Sequence, residues 1–102
     1  MSPTQVARLT AENPAKHFGL YPQKGSLSPG ADADIAVFCP QERIFAPEAM
    51  ASAVKWSPYA GMTMAGFVRA TFVRGRKVFD NGQVTVEPGA GQFVRPDGTR
   101  RA

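Results

Sequence analysis

The sequence contains one cysteine and one histidine in 102 residues. The single cysteine, Cys39, excludes an intramolecular disulfide, the expectation for a chain of the reducing cytoplasm. A zinc site needs three or four His, Cys, Asp or Glu ligands converging on one point, and one His with one Cys supplies a poor starting set. No apolar run approaches the ~20 residues that span a bilayer. Met1 to Thr10 lacks the apolar centre of a secretion signal. The expectation is a cytoplasmic chain with no membrane partner. A phosphate-cradling glycine loop is missing too: Gly61, Gly66, Gly75 and Gly82 stand where turns are expected. No serine lies in the strand-turn-helix setting of a nucleophile elbow.

Glycine and proline are plentiful, with ten and nine copies, and 43% of residues are hydrophobic. That mixture suits short elements joined by turns, in one small domain. The net charge is +4. Arg69, Arg74, Arg76 and Lys77 lie close together, and Arg95, Arg100 and Arg101 sit near the end. A nucleic-acid footprint is one reading of these residues; a solvated strand face plus a terminal tail is the preferred one.

Along the chain, Ser2-Pro3-Thr4-Gln5 reads as a helix start, with Ser2 as cap, Pro3 in the first position and Gln5 closing a capping box. Asn13-Pro14 is expected to break this helix and to begin a second short turn that ends at Gly19. Lys24-Gly25 and Pro29-Gly30 mark turns around a short extended piece, Ser26 to Ser28. Asp34 to Phe38 reads as a strand; Ile35 and Val37 on one face and Ala36 and Phe38 on the other imply cover on both sides. Pro47 to Val54 is expected to include a short helix, and Ser57-Pro58-Tyr59-Ala60-Gly61 a loop. Phe67 to Val73, Arg76 to Phe79 and Gln83 to Val86 form the clearest β pattern. Their turns fall at Arg74-Gly75 and at Asp80-Asn81-Gly82, where Asn-Gly tolerates positive φ. Beyond Pro88 the chain reads as an extended tail.

Few residues offer chemistry. His17 sits beside Phe18 on a short helical turn and reads as packed or surface-exposed. Cys39 reads as a structural cysteine. Asp32 and Asp34 alternate along a segment expected to be extended, which would point their side chains to opposite faces and exclude a carboxylate pair. Asp32 is expected to accept backbone N–H groups in the Pro29-Gly30 turn.

Five segments, in order, resemble cyclic amidohydrolases, the group of dihydroorotase, allantoinase and hydantoinase (dihydropyrimidinase). They are Asn13-Pro14-Ala15-Lys16-His17-Phe18-Gly19-Leu20, the stretch from Lys24-Gly25-Ser26 through Asp32-Ala33-Asp34 to Phe38, Ser57 to Gly61, Thr71 to Asp80, and Gly89 to Arg95. The resemblance implies the C-terminal portion of such an enzyme: the last helix of a metal-carrying barrel (residues 1–20), the C-terminal share of a composite β-sandwich (21–95) and a flexible tail (96–102). The implied fold is mainly β, a small sandwich with an N-terminal helix and one short helix. Ile35, Val37, Phe72 and Val78 would face into the sandwich.

The group's reaction is attack of metal-activated water, typically on zinc, at a cyclic amide carbonyl. Its metal-binding histidines, carboxylated lysine and catalytic aspartate lie upstream of the resembling region. The expectation is no catalytic, cofactor-binding or metal-binding residue in this chain, and no cofactor of its own. Its partner would be the missing barrel portion or a second copy. "SPY-x-G" and "T-x-V-RG" look most like dihydroorotase and allantoinase. Two other readings are a freestanding oligomerisation or interaction module and a small basic nucleic-acid-binding β domain.

Overall fold

The computed structural model describes residues 1–50 and 52–96. The helix start forms as expected. Ser2 is extended, its hydroxyl accepts from the Gln5 N–H at 3.2 Å, and the Gln5 carboxamide accepts from the Ser2 N–H at 2.7 Å. Helix α1 (Pro3–Ala7) does not stop before Asn13-Pro14. It runs through a π-helical turn (Arg8–Glu12) into α2 (Asn13–His17) with Asn13 fully helical. The expected break is therefore wrong. Inside an α-helix a proline ring collides with the carbonyl four residues back. The π turn widens the ladder just before Pro14: the Asn13 N–H donates to the Arg8 carbonyl, five residues back. The Thr10 hydroxyl donates to the Val6 carbonyl at 2.7 Å and helps satisfy the disturbed turn. Gly19, at φ +75, stands just beyond the helix end, where a left-handed residue is favoured.

The β part has two sheets. One is antiparallel, in the order β1-β4-β5-β6, from β1 (Ile35–Cys39), β4 (Phe67–Val73), β5 (Arg76–Asp80) and β6 (Gln83–Val84). The other is a ribbon of β2 (Arg43–Ile44) against β3 (Thr63–Met64). The mainly β reading with an N-terminal helix holds. The β4–β5 turn has Arg74 and Gly75 both at positive φ, 49° and 81°, the requirement of a two-residue hairpin loop with the natural twist. Asn81 and Gly82 repeat this at the β5–β6 turn.

Several local expectations are corrected. Ser26 to Ser28 forms no strand; the Ser26 hydroxyl accepts the Ser28 N–H and donates to the Ser28 hydroxyl, a local alternative to a ladder. The helix expected over Pro47 to Val54 is a single 3-10 turn, Pro47–Ala49, after which Met50 is extended. A short helix that buries little does not repay nucleation, and of this turn only Pro47 is buried. The last strand stops at Val84, although the Thr85 N–H still donates to the Val78 carbonyl at 2.9 Å. Two-residue strands carry no alternation, so the ribbon has no signature in the sequence. The tail expected over 96–102 falls, beyond Pro96, outside the described residues.

The expected two-sided cover of β1 is absent among the described residues. β1 is a sheet edge, and Ile35, Val37 and Phe38 are 37%, 41% and 59% exposed. Among the described residues the buried apolar ones are small, Ala15, Pro47 and Ala70. The radius of gyration is 15.5 Å, against about 13 Å for a compact domain of this length. The apolar residues of β1 do form a strand, but nothing among the described residues folds over it.

Candidate functional site

The most heavily bonded polar cluster joins the helix, β1 and the β4–β5 turn. The Lys24 N–H donates to the Leu20 carbonyl at 2.9 Å, which fixes the loop to the helix end. Gly25 lies against the helix: a Cβ there would be 2.7 Å from the Ala15 Cβ and 2.9 Å from the Ala11 carbonyl oxygen. This close approach carries the Lys24 side chain to the carboxylates ahead of β1. Its ammonium is 2.9 Å from Asp32 Oδ2 and also bonds Asp34 Oδ2. The Gln23 amide donates to Asp32 at 3.3 Å.

Asp32 and Asp34 therefore converge, and the expectation of opposite faces is corrected. The alternation rule needs an extended segment. Here the Asp34 N–H donates to the Asp32 carbonyl at 2.9 Å, which closes a tight turn, and β1 begins only at Ile35. The other Asp34 oxygen accepts the Arg74 N–H at 2.9 Å, and the Gly75 N–H donates to the Ala33 carbonyl at 2.9 Å. Arg74 holds a left-handed conformation that costs an L-residue roughly 1–2 kcal/mol. Asp34 and the Arg74 guanidinium, which donates to the Ala90 carbonyl at 3.2 Å, help to offset that cost.

Both ends of the Lys24–Asp34 pair are shifted. Partial burial works against the Asp34 charge, but the bonds from Lys24 and the Arg74 N–H outweigh it and hold the carboxyl below its ordinary range. Burial likewise works against the Lys24 charge, and the two aspartates overcome it and raise the ammonium. A carboxylate held ionised by a fixed cation makes a poor general acid or base at neutral pH. The cluster works as a fastener.

The other candidate residues are dispersed. His17 meets Phe18 edge-on, with centroids 4.8 Å apart. Cys39 closes β1 as a half-buried free thiol. Ser57 is buried, and its hydroxyl accepts the Tyr59 N–H at 3.1 Å, so it shapes its own loop. The basic residues do not form one track. Arg74 and Arg76 line a cleft with Val73, Val78 and Val84. Lys77 lies 5.7 Å from the Phe72 ring and 3.9 Å from Asp80. Arg69 lines a different cleft with Arg43 and Phe67.

A larger groove of about 820 Å³ runs between the helical region and the start of β1, lined by Ala7, Ala11, Leu20, Leu27 and Ile35 among others. Its charged side chains are largely paired with one another: Arg8 with Glu12, and Lys24 with the two aspartates.

The resemblance implies a divalent metal held by residues outside this stretch. Among the described residues no group of three or more His, Cys, Asp or Glu could hold a metal ion. The two aspartates nearest each other are bridged by the Lys24 ammonium.

The Amidohydrolase family pattern matches residues 1–78. A D-hydantoinase of Ralstonia pickettii is 38% identical over 96 residues, which are 93% of this chain and 21% of that protein. An allantoinase of Deinococcus radiodurans is 43% identical over 91 residues, 89% of this chain and 20% of that protein. Among solved structures, the dihydropyrimidinase from Brevibacillus agri superimposes with a TM-score of 0.88 at 35% identity, covering 100% of this chain and 22% of that one. The chain thus spans about a fifth of the length of the relatives it matches. With the helix, the β1 entry and the β4–β5 turn all inside residues 1–78, the chain belongs to the amidohydrolase family, in its cyclic amidohydrolase group.

Proposed function

We propose that this chain is the C-terminal, non-catalytic segment of a metal-dependent hydrolase of cyclic amides, and that it contributes packing and assembly. The observation that carries this reading is the match along nearly all of the chain to hydrolases about five times longer. The bond pattern supports it. The motifs that resemble the group make a capped helix, a glycine-tight loop, the Lys24 fastener and a hairpin, each with a structural task. The ring acted on by the whole protein is read as hydantoin- or allantoin-like, after the relatives' names. The short motifs that resembled dihydroorotase are turn and strand residues, and such residues do not rank one ring above another. A cytoplasmic location goes with this reading through the free Cys39.

The uncovered faces of β1 and of the helical region define the partner. Covering one large apolar side chain fully is worth roughly 1.5–3 kcal/mol. Leu9, Ile35, Val37 and Phe38 are all substantially exposed. The remainder of the larger polypeptide supplies that cover; where it is absent, a second copy does so.

The test is complementation. The purified 102-residue chain is expected to hold no stoichiometric metal and to hydrolyse none of hydantoin, allantoin and dihydroorotate. Co-expression with the complementary portion of a relative should restore turnover of that relative's substrate. Turnover by the chain alone, or one firmly held zinc per chain, would sink the proposal. So would a complementing portion that is no more active with the chain than without it.

A further inference from the structure

At the end of the sheet remote from the Lys24 fastener, β1, β2, β4 and the β5–β6 turn enclose a cleft of about 390 Å³. Two arginines reach it by different routes. Arg43 opens β2, and its guanidinium carbon lies 3.4 Å from the centroid of the Phe67 ring. That stacking occupies one face of the guanidinium and leaves its N–H edges in plane, the arrangement that suits an oxyanion.

Arg69 is placed by a bulge. Val37 pairs with Ala70 and Phe38 with Val68, so Arg69 is the extra residue on β4 with no partner on β1. Bulges re-aim a side chain out of the regular pleat and occur often beside functional sites. The Arg69 carbonyl is still used, accepting the Asn81 N–H at 2.8 Å, so the bulge is a bonded feature. Neither guanidinium forms an ion pair among the described residues.

We propose that the cleft lined by Cys39, Gln41, Arg43, Phe67, Arg69 and Asn81 binds the oxyanion of a small molecule, a carboxylate or a phosphate, through the Arg43 and Arg69 guanidinium groups. Two guanidinium forks match the paired oxygens of either anion. Gln41 and Asn81 also line the cleft and carry carboxamides able to donate to an anion. Asp80 lines the same cleft and disfavours a long polyanion. A nucleic acid would need a continuous basic track. Here Arg74 is bonded to the Ala90 carbonyl, and Arg76 lines a separate cleft. A small anion fits this charge layout; a long polyanion does not. The site lies outside the Lys24 fastener and does not depend on the proposed hydrolase role.

The experiment is an amide NMR titration of the 102-residue chain with inorganic phosphate and, in parallel, with acetate. Saturable shifts are expected at Gln41, Phe67, Arg69 and Asn81 with at least one of the two anions, and the stronger ion identifies the source. Arg43→Gln and Arg69→Gln should each weaken binding by about tenfold or more, the loss of a charge-assisted hydrogen bond. Arg76→Gln should leave it unchanged. If a glutamine variant loses its dispersed spectrum, Arg43→Lys decides: it keeps the charge without the planar fork and should still bind more weakly. Four outcomes overturn the proposal: no saturation with either ion, equal weakening by Arg76→Gln, full affinity in the Arg43→Lys chain, or shifts in these residues with an RNA oligonucleotide but with neither small anion.

Discussion

Replacing Gly25 with alanine tests whether the helix is seated on the loop as described. Two costs act there. Gly25 is at φ +79, where an L side chain loses roughly 1–2 kcal/mol. The new methyl would also lie 2.7 Å from the Ala15 Cβ, 2.9 Å from the Ala11 carbonyl oxygen and 3.1 Å from the Glu12 Cα. Two of those atoms are backbone and the third is the methyl of a buried residue, so none is the far end of a flexible side chain. Overpacking of this kind costs about 1–3 kcal/mol. Gly30→Ala is the control: it meets a similar backbone, φ +92, with no atom within 4 Å of the added Cβ. The difference between the variants isolates the clash at about 1–3 kcal/mol. At 4–8 °C per kcal/mol for a domain of this size, Gly25→Ala should melt roughly 5–20 °C below Gly30→Ala. Thermal unfolding followed by circular dichroism reads this directly. Equal melting temperatures, or a Gly25→Ala chain more stable than Gly30→Ala, would refute the close approach of loop and helix.

Because its folded-state pKa is lowered, Asp34 contributes stability that is present above the ordinary carboxylate pKa and is lost as pH falls through the folded value. The denaturant midpoint of the chain should therefore fall below about pH 4, and Asp34→Asn should flatten that fall while lowering the neutral-pH midpoint. An unchanged acid limb in the variant would count against the fastener. The raised Lys24 pKa acts with the opposite sign: its contribution is complete below about pH 10.4 and is lost as pH rises through the folded value. The exposed edge of β1 should make the isolated chain self-associate at micromolar concentration, and Val37→Lys should reduce this by placing a charge on the edge. Light scattering coupled to gel filtration checks it; a sharp monomer peak with a cooperative melt would show that the chain closes its own core.

The local rules in the sequence were enough for the features that depend on a few consecutive residues. Ser2-Pro3-Thr4-Gln5 caps a helix because cap and capped N–H groups lie three residues apart. Asn81-Gly82 turns a hairpin because both residues tolerate positive φ, and Gly75 does the same at the β4–β5 turn. The continuous apolar run of β1 and the β-rich composition of β4 mark strands, and the ordered motifs point to the family. What depended on distant residues was decided only in three dimensions. Asp34 bonds the Arg74 N–H across forty positions, and Asp32 and Asp34 meet at Lys24 because a turn interrupts the alternation that would have separated them. The π turn ahead of Pro14, the two-residue ribbon and the bulge at Arg69 each follow from how neighbouring backbone is accommodated, which no residue pattern encodes. The exposure of β1 has the same origin: the sequence states that Ile35, Val37 and Phe38 require cover, and only the tertiary structure shows that the described part of the chain does not supply it.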